Sequence, residues 1–250
     1  MQTAEQSNPK AVFLAVQADN VAINPSKEIA FEKIYFTESK SAWITIEWLS
    51  EELMLFAKRN YQDLFRLHPV ERGKVVMHDK ETTSFRWHQS YLNTPHLDEV
   101  VFSHKSYMYS GKNNDNNMPL PPQFEVFLDF LNVENCASTE DKYNQVTANW
   151  YANGKDYIAA HSDCQINMKP QAGIAVLSFN EDENNARKMI FTPRKLQKTE
   201  NDSICSHVEV LLPHGCIITM FGDMQEKFRH RVPQNQDVLT SRISLTFRKF

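Results

Sequence analysis

Ser241-Arg242-Ile243-Ser244-Leu245-Thr246-Phe247-Arg248 is the stretch that decides the fold of this chain. Side chains two apart on an extended backbone share a face. Arg242, Ser244, Thr246 and Arg248 therefore line one side of the segment, and Ile243, Leu245 and Phe247 line the other. So strict an alternation reads as a strand with one face in an apolar core. Working back towards the N-terminus, further candidate strands fall at 145–151, 157–161, 173–179, 187–192, 206–212 and 216–221, with Pro, Gly and Asn between them. Short strands with this punctuation predict a sandwich or jelly roll, mainly β with flanking helices in an α+β arrangement.

Polar groups recur where an apolar interior is expected. His161-Ser162-Asp163 follows a candidate strand, and the period of two aims His161 and Asp163 together while Ser162 turns aside. His230 lies far downstream in Lys227-Phe228-Arg229-His230-Arg231-Val232-Pro233. Two imidazoles and one carboxylate form the ligand set of a non-haem Fe(II) oxygenase, which leaves other metal positions open. Arg242 and Arg248 suit a dicarboxylate, because guanidinium forks make paired charge-assisted hydrogen bonds. Asn149 and Tyr151 make another same-face pair. Each piece alone has a plain alternative: a solvated turn for H-x-D, a basic loop around His230, an exposed strand face for the arginines, a structural hydrogen-bonding pair for Asn149 and Tyr151. The order H-x-D, distal His, R-x5-R gives the set its specificity.

From about Tyr107 to the C-terminus the chain resembles the AlkB-like Fe(II)/2-oxoglutarate dioxygenases, closest to members that repair alkylated nucleic acid. The resemblance rests on Asn149-Trp150-Tyr151-Ala152-Asn153-Gly154-Lys155-Asp156, His161-Ser162-Asp163, Ile174-Ala175-Val176-Leu177-Ser178-Phe179, Leu212-Pro213-His214-Gly215, His230-Arg231-Val232-Pro233 and the closing arginine strand. Tyr107-Met108-Tyr109-Ser110-Gly111 is similar to the family's tyrosine-rich turn, and Gln89-Ser90-Tyr91 to part of its nucleotide-recognition lid. The resemblance implies a double-stranded β-helix (jelly roll) with the metal at one open end and a lid-like N-terminal region. It implies one dioxygenase domain over 1–250, with an N-terminal extension and substrate lid in 1–105 and the catalytic core in 106–250.

The same resemblance implies Fe(II) on His161, Asp163 and His230, with O2 as the oxidant. It assigns the distal carboxylate of 2-oxoglutarate to Arg242, helped by Tyr151, and places Asn149, Ser244 and Arg248 among the cosubstrate contacts. Alkylated DNA or RNA is the implied substrate, demethylated with release of formaldehyde, succinate and CO2 and read by Gln89, Tyr91, Tyr107, Tyr109, Cys164 and Gln165. Two departures stand out: Ser244 replaces a common Asn, and Cys164-Gln165 replaces acidic residues that recognise the damaged base. A neutral amide donates as well as accepts, unlike a carboxylate. An oxygenase of a protein, lipid or small metabolite is the alternative reading.

Composition bounds the class. At 250 residues the chain is long enough for one large domain. No apolar run approaches the ~20 residues a membrane helix needs, and the first residues lack the features of a signal peptide. Cys136, Cys164, Cys205 and Cys216 include no C-x-x-C pair and read as free thiols in a nucleus or cytoplasm. A monomer with no membrane contact is expected. The net charge of -4 argues against a tight duplex binder. Arg187, Lys188, Arg194, Lys195 and Lys198, and separately Lys227, Arg229 and Arg231, are candidate basic patches or solvated loops.

Ser50 followed by Glu51 and Glu52 predicts a helix to about Asn60 that buries Leu53, Phe56 and Ala57. Pro119 to Pro122 precede a second helix carrying Phe124, Phe127, Leu128 and Leu131. Residues 69–95 read as loop-rich and lid-like, with Trp87, His88, Tyr91, Tyr107 and Tyr109 as stacking candidates or simple packing. Asn180 to Asn185 read as a solvated hairpin tip.

Overall fold

The computed structural model describes residues 10–13, 20–25, 32–77, 80–93, 108–109, 112–113, 118–135, 142–169, 171–194 and 203–250. Two sheets enclose the interior of a jelly roll. The larger runs in the order Lys10–Phe13 (β1), Glu32–Tyr35 (β3), Ala42–Trp48 (β4), Cys216–Gly222 (β16), Ile174–Asn180 (β13), Arg242–Arg248 (β18), Gln145–Tyr151 (β11), Trp87–Leu92 (β7) and Met118–Pro119 (β10). The smaller runs Ile158–His161 (β12), Phe228–Val232 (β17), Arg187–Pro193 (β14), Val208–Leu212 (β15) and Val21–Ile23 (β2). Lys74–Met77 (β5) pairs with Lys80–Thr83 (β6), and Met108–Tyr109 (β8) with Lys112–Asn113 (β9), in two separate hairpins.

β18 is flanked by antiparallel β11 and β13, and every residue in it is buried. Its period of two divides the molecule. Ile243, Leu245 and Phe247 join Trp150, Phe179 and Ile217 in a core on one side of the large sheet. Arg242, Ser244, Thr246 and Arg248 look into the space between the sheets and line a cleft there. Beside that cleft, Ile44, Ile218 and Met220 of the large sheet pack with Phe191, Val210 and Phe228 of the small one. The interior is thus half oil and half polar.

Helices cover the outer face of the large sheet. Glu51–Arg59 (α1) begins at Ser50, whose side chain accepts a hydrogen bond from the Leu53 N–H. Glu51 and Glu52 stand at the positive end of the helix and Lys58 and Arg59 at the negative end, as the macrodipole favours. Ala57 is buried, whereas Leu53 and Phe56 are partly covered and pack against the same core. Tyr61–Arg66 (α2) follows directly. Pro122–Asn135 (α3) buries Phe124, Phe127, Leu128 and Leu131. The Phe127 ring meets Phe179 at 4.8 Å between centroids, and burial of such a ring contributes roughly 1.5–3 kcal/mol. Met224–Lys227 (α4) is a single turn between β16 and β17. No described helix is long and apolar enough to cross a membrane.

Several expectations change. Residues 69–95 hold the β5–β6 hairpin and β7, which adds to the large sheet beside β11. With β3 and β4 also in that sheet, residues before 105 form part of its framework. β17 lies where a basic loop was one reading, because Arg229 and Arg231 alternate outward while Phe228, His230 and Val232 turn inward. Arg187, a candidate surface cation, is buried with its guanidinium on the carbonyls of Asn153, Asp156 and Pro233. Asn180 is buried at the end of β13, its side-chain amide donating to Leu212 O, so the solvated tip begins after it. Cys164, Cys205 and Cys216 carry free thiols, and Cys136, Lys195 and Lys198 lie outside the described residues.

Candidate metal centre and cosubstrate cleft

The register of the small sheet brings the two histidines together. β12 and β17 run antiparallel, and His161 and His230 are direct partners across them. Their rings lie 4.3 Å apart between centroids. The strand ends at His161, so Asp163 reaches the same place from an extended segment beyond the ladder. Two side chains hold that segment. Ser162 Oγ donates to Phe228 O at 2.7 Å, and Gln225 Oε1 accepts the Asp163 N–H at 2.8 Å.

The Asp163 carboxylate stands between the imidazoles, with Oδ1 3.9 Å from His161 Nε2 and Oδ2 3.8 Å from His230 Nε2. The three donor atoms all lie within 4.8 Å of one another. His161 Nδ1 donates to Ala159 O at 2.9 Å. A carbonyl only accepts, so Nδ1 keeps the proton and Nε2 keeps its lone pair. Burial, the largest cause, holds the His161 pKa below its ordinary value, against the pull of Asp163. Burial and the neighbouring His161 push His230 down to about 3. Both imidazoles are neutral at pH 7, as metal ligation requires. Two nitrogens and one carboxylate, open on the cleft side, fit Fe(II).

The cleft encloses about 490 Å3, including its open mouth. Arg242 lies in it, partnered across β11–β18 with Tyr151. Its Nη2 donates to Ser178 Oγ at 2.8 Å, and its guanidinium lies over the Tyr151 ring at 5.0 Å. Among the described residues, its Nε and Nη1 are buried and have no hydrogen-bond partner. A buried guanidinium with two open donors fits the distal carboxylate of 2-oxoglutarate. Ser244 sits between its register partners Asn149 and Ser178. Arg248 stands nearer the metal group: its Nη2 donates to Asp163 Oδ1 at 2.9 Å.

The substrate-reading candidates scatter. By strand parity Gln89 and Tyr91 share the helix side of β7 with Trp87, and Tyr91 packs on Phe124 at 6.0 Å. The opposite side of β7 faces the cleft, where Ser90 Oγ meets Thr147 Oγ1 at 3.3 Å. Gln89 and Tyr91 therefore sit across the sheet from the metal group. Cys164 is half-buried and Gln165 exposed, and neither lines the cleft. Tyr107 lies outside the described residues, and Tyr109 is described only as part of β8.

Other residues enter the site unforeseen. Arg86 lines the cleft and donates from Nε to Asn149 Oδ1 at 2.6 Å. Gln145 and Thr147 bind Arg248. The parity that pairs Asn149 with Tyr151 extends to both of them, so the signal is present in the sequence. No such pattern marks Arg86 or Gln225.

A family model described as the 2OG-Fe(II) oxygenase superfamily matches residues 35–248. Alpha-ketoglutarate-dependent dioxygenase alkB homolog 3 of Bos taurus is 32% identical over 130 residues, covering 51% of this chain and 43% of that protein. DNA oxidative demethylase ALKBH2 of Mus musculus is 30% identical over 114 residues, 46% of each chain. The match thus spans less than half the length of these relatives. The solved structure of OsALKBH1 aligns with a TM-score of 0.47 at 11% identity, over 82% of this chain and 97% of that one. The chain belongs to the 2OG-Fe(II) oxygenase superfamily, with AlkB-like relatives.

Proposed function

We propose that this protein oxidatively removes alkyl groups from bases in DNA or RNA, acting as a monomer in the nucleus or cytoplasm. One observation carries the substrate half of this reading. Phe85 and Tyr157 stack at 4.4 Å between centroids, and Phe85 is exposed. Each immediately precedes a residue that lines the cleft, Arg86 and Ile158. A base drawn out of its stack to reach the metal leaves neighbours that stack on aromatic faces, and an exposed ring one residue from the cleft lining suits that role. One relative bears the name DNA oxidative demethylase, and the free thiols support a reducing compartment.

Bound Fe(II), 2-oxoglutarate and O2 supply the oxidation: one oxygen atom enters an N-methyl C–H bond, the other ends in succinate, CO2 leaves, and the hydroxymethylated nitrogen takes a proton as formaldehyde departs. The chain contributes placement. Arg242 holds the distal carboxylate, and Arg248 aims Asp163. Arg86 occupies the acceptor end of the Asn149 amide, which leaves that amide's N–H groups for the cosubstrate. Val176, Met189 and Val232 form an apolar wall that thins out water around the reacting carbon.

A second reading, oxygenation of a protein, lipid or metabolite, is favoured by the net charge of -4 and by the buried state of Arg187. Formaldehyde release from methylated oligonucleotides with iron, ascorbate and 2-oxoglutarate separates the two. Formaldehyde matched to succinate supports dealkylation. Succinate with untouched oligonucleotide favours the second reading.

A further inference from the structure

We infer that the outer face of the small sheet carries the sugar–phosphate backbone of a single-stranded substrate, with Arg229 and Arg231 on successive phosphates. The inference rests on the dealkylation reading and names how that substrate is held. In β17 the side chains of Phe228, His230 and Val232 are buried, while Arg229 and Arg231 between them are exposed. Neither arginine has a hydrogen bond or ion pair among the described residues. Other surface cations have found acids: Lys58 meets Glu183, Arg66 meets Asp63 and Lys188 meets Glu209. Acids outnumber Lys and Arg by 31 to 27, so composition does not explain two arginines left over. Their strand neighbours are neutral. β14 sets Ile190 beside Arg231 and Thr192 beside Arg229, and β12 presents Ala159 and Ala160, small and exposed. Glu209 lies one strand further off and is held by Lys188 and His207. Two guanidiniums thus stand over a flat floor with no carboxylate in register to meet them.

A guanidinium fork suits phosphate oxygens, and phosphate contacts fix the register of a nucleic acid without reading its sequence. Arg229 and Arg231 stand two residues apart, ~6.6 Å along the strand, a separation that matches one nucleotide step of an extended chain. Between them His230 points the other way, into the metal group. β12, the next strand, is the free edge of the small sheet and pairs with β17 alone among the described strands. His161 on that edge keeps 27% of its side chain exposed, against 8% for His230 and 4% for Asp163. The metal group is therefore most open on its β12 side. With strands ~4.8 Å apart, a backbone lying on Arg229 and Arg231 is one strand from the edge round which a base turns inward. A single strand is the favoured occupant. A duplex brings twice the phosphate charge to a chain of net charge -4, and it must unpair before a base leaves it.

The test follows binding of a methylated single-stranded oligonucleotide, in deoxy and ribo forms, to the whole chain by fluorescence anisotropy across a salt series. The double variant Arg229→Gln/Arg231→Gln is expected to raise Kd roughly tenfold or more at about 0.1 M salt. Its plot of log affinity against log salt should flatten by ~1.4, about 0.7 for each phosphate released. KM for formaldehyde release from the same oligonucleotide rises by a similar factor. Arg229→Lys/Arg231→Lys keeps most of the affinity and the slope, because the charges remain. Arg59→Gln removes an exposed charge from α1, beyond the large sheet, and leaves both readouts unchanged. Uncharged methylphosphonates placed singly along the oligonucleotide locate the track without altering residues beside His230: two adjacent positions weaken the wild type and not the double variant. Unchanged Kd and slope in the double variant, or an equal loss in Arg59→Gln, overturns the inference, and continued formaldehyde release leaves dealkylation standing. An acidic peptide bound in place of the oligonucleotide, and lost in the same variant, also overturns it and gives the face to a protein partner. Succinate with no formaldehyde from either oligonucleotide overturns the dealkylation reading and the inference with it.

Discussion

The Arg248 guanidinium donates from Nη2 to Asp163 Oδ1 at 2.9 Å, with both side chains buried. Its Nη1 is fixed at the other end, 3.0 Å from both Gln145 Oε1 and Thr147 Oγ1. Arg248 is thus a strut from the large sheet to a metal-facing carboxylate just beyond the end of β12. Such struts set the rotamer and charge state of a ligand, and their loss typically costs 10–100-fold in metal affinity. Arg248→Met is expected to weaken Co(II) binding to the metal-free protein by about that factor. Unaltered Co(II) affinity in a folded variant would show that Asp163 is aimed without it.

Arg242 poses the opposite case, a buried charge whose Nε and Nη1 have no partner among the described residues. Burial holds its pKa below the ordinary arginine value, with Tyr151 as the first counterweight. Losing one side of a buried charge pair costs roughly 3–5 kcal/mol. Arg242→Ala should lose 2-oxoglutarate binding on that scale and cease succinate production, while Co(II) affinity stays. Its melting temperature without cosubstrate should hold or rise, since an uncompensated charge leaves the interior. Normal succinate output from this variant refutes the assignment.

The alternation over residues 242–248 was enough to read one face as cleft and the other as core, because a strand in mid-sheet has no freedom to do otherwise. α1 and α3 were equally legible from Ser50 and from the aromatic spacing after Pro122. β17 was not, since its inward positions mix Phe228, His230 and Val232 while arginines fill the outward ones. β7 was hidden differently: a strand apolar on one face and polar on a cleft face looks like a loop of mixed composition. Arg86 and Gln225 act through neighbours 63 and 62 residues away. Contacts at that distance are set by topology, which no local pattern carries.

The segment before β5 is tied to the core by Arg72, which donates from Nη1 and Nη2 to the two oxygens of Asp156 at 2.8 Å each. Asp156 Oδ2 also accepts the Ala152 N–H at 2.8 Å, and Arg72 lies 4.4 Å over the Trp87 ring. Asp156 is buried and Arg72 partly exposed, so truncating the acid is the harsher change. Asp156→Ala strands the Ala152 amide and the guanidinium, and should destabilise by roughly 2–4 kcal/mol. Arg72→Met leaves Asp156 its backbone bond and should cost about half as much. Urea unfolding of both variants checks the order, and an inverted ranking would mean the arginine stem's packing on Trp87 outweighs the charge pair.

Acid sensitivity should trace to His88, whose pKa is pushed down to about 4 by burial first and the charge of Arg86 second. An unfolded histidine titrates near 6.5. Between those values the unfolded chain binds a proton that the folded chain refuses. Stability is therefore unaffected above about pH 6.5 and declines as pH falls towards 4, by up to ~1.4 kcal/mol per pH unit for this group. Below that window its contribution levels off. His230, pushed down to about 3, extends the decline in metal-free protein. Urea unfolding of metal-free wild type and His88→Gln between pH 7.5 and 4.5 isolates the first effect. The variant should show a shallower loss, by about one bound proton in the slope. Parallel slopes for the two proteins would mean that His88 keeps its ordinary titration in the folded state.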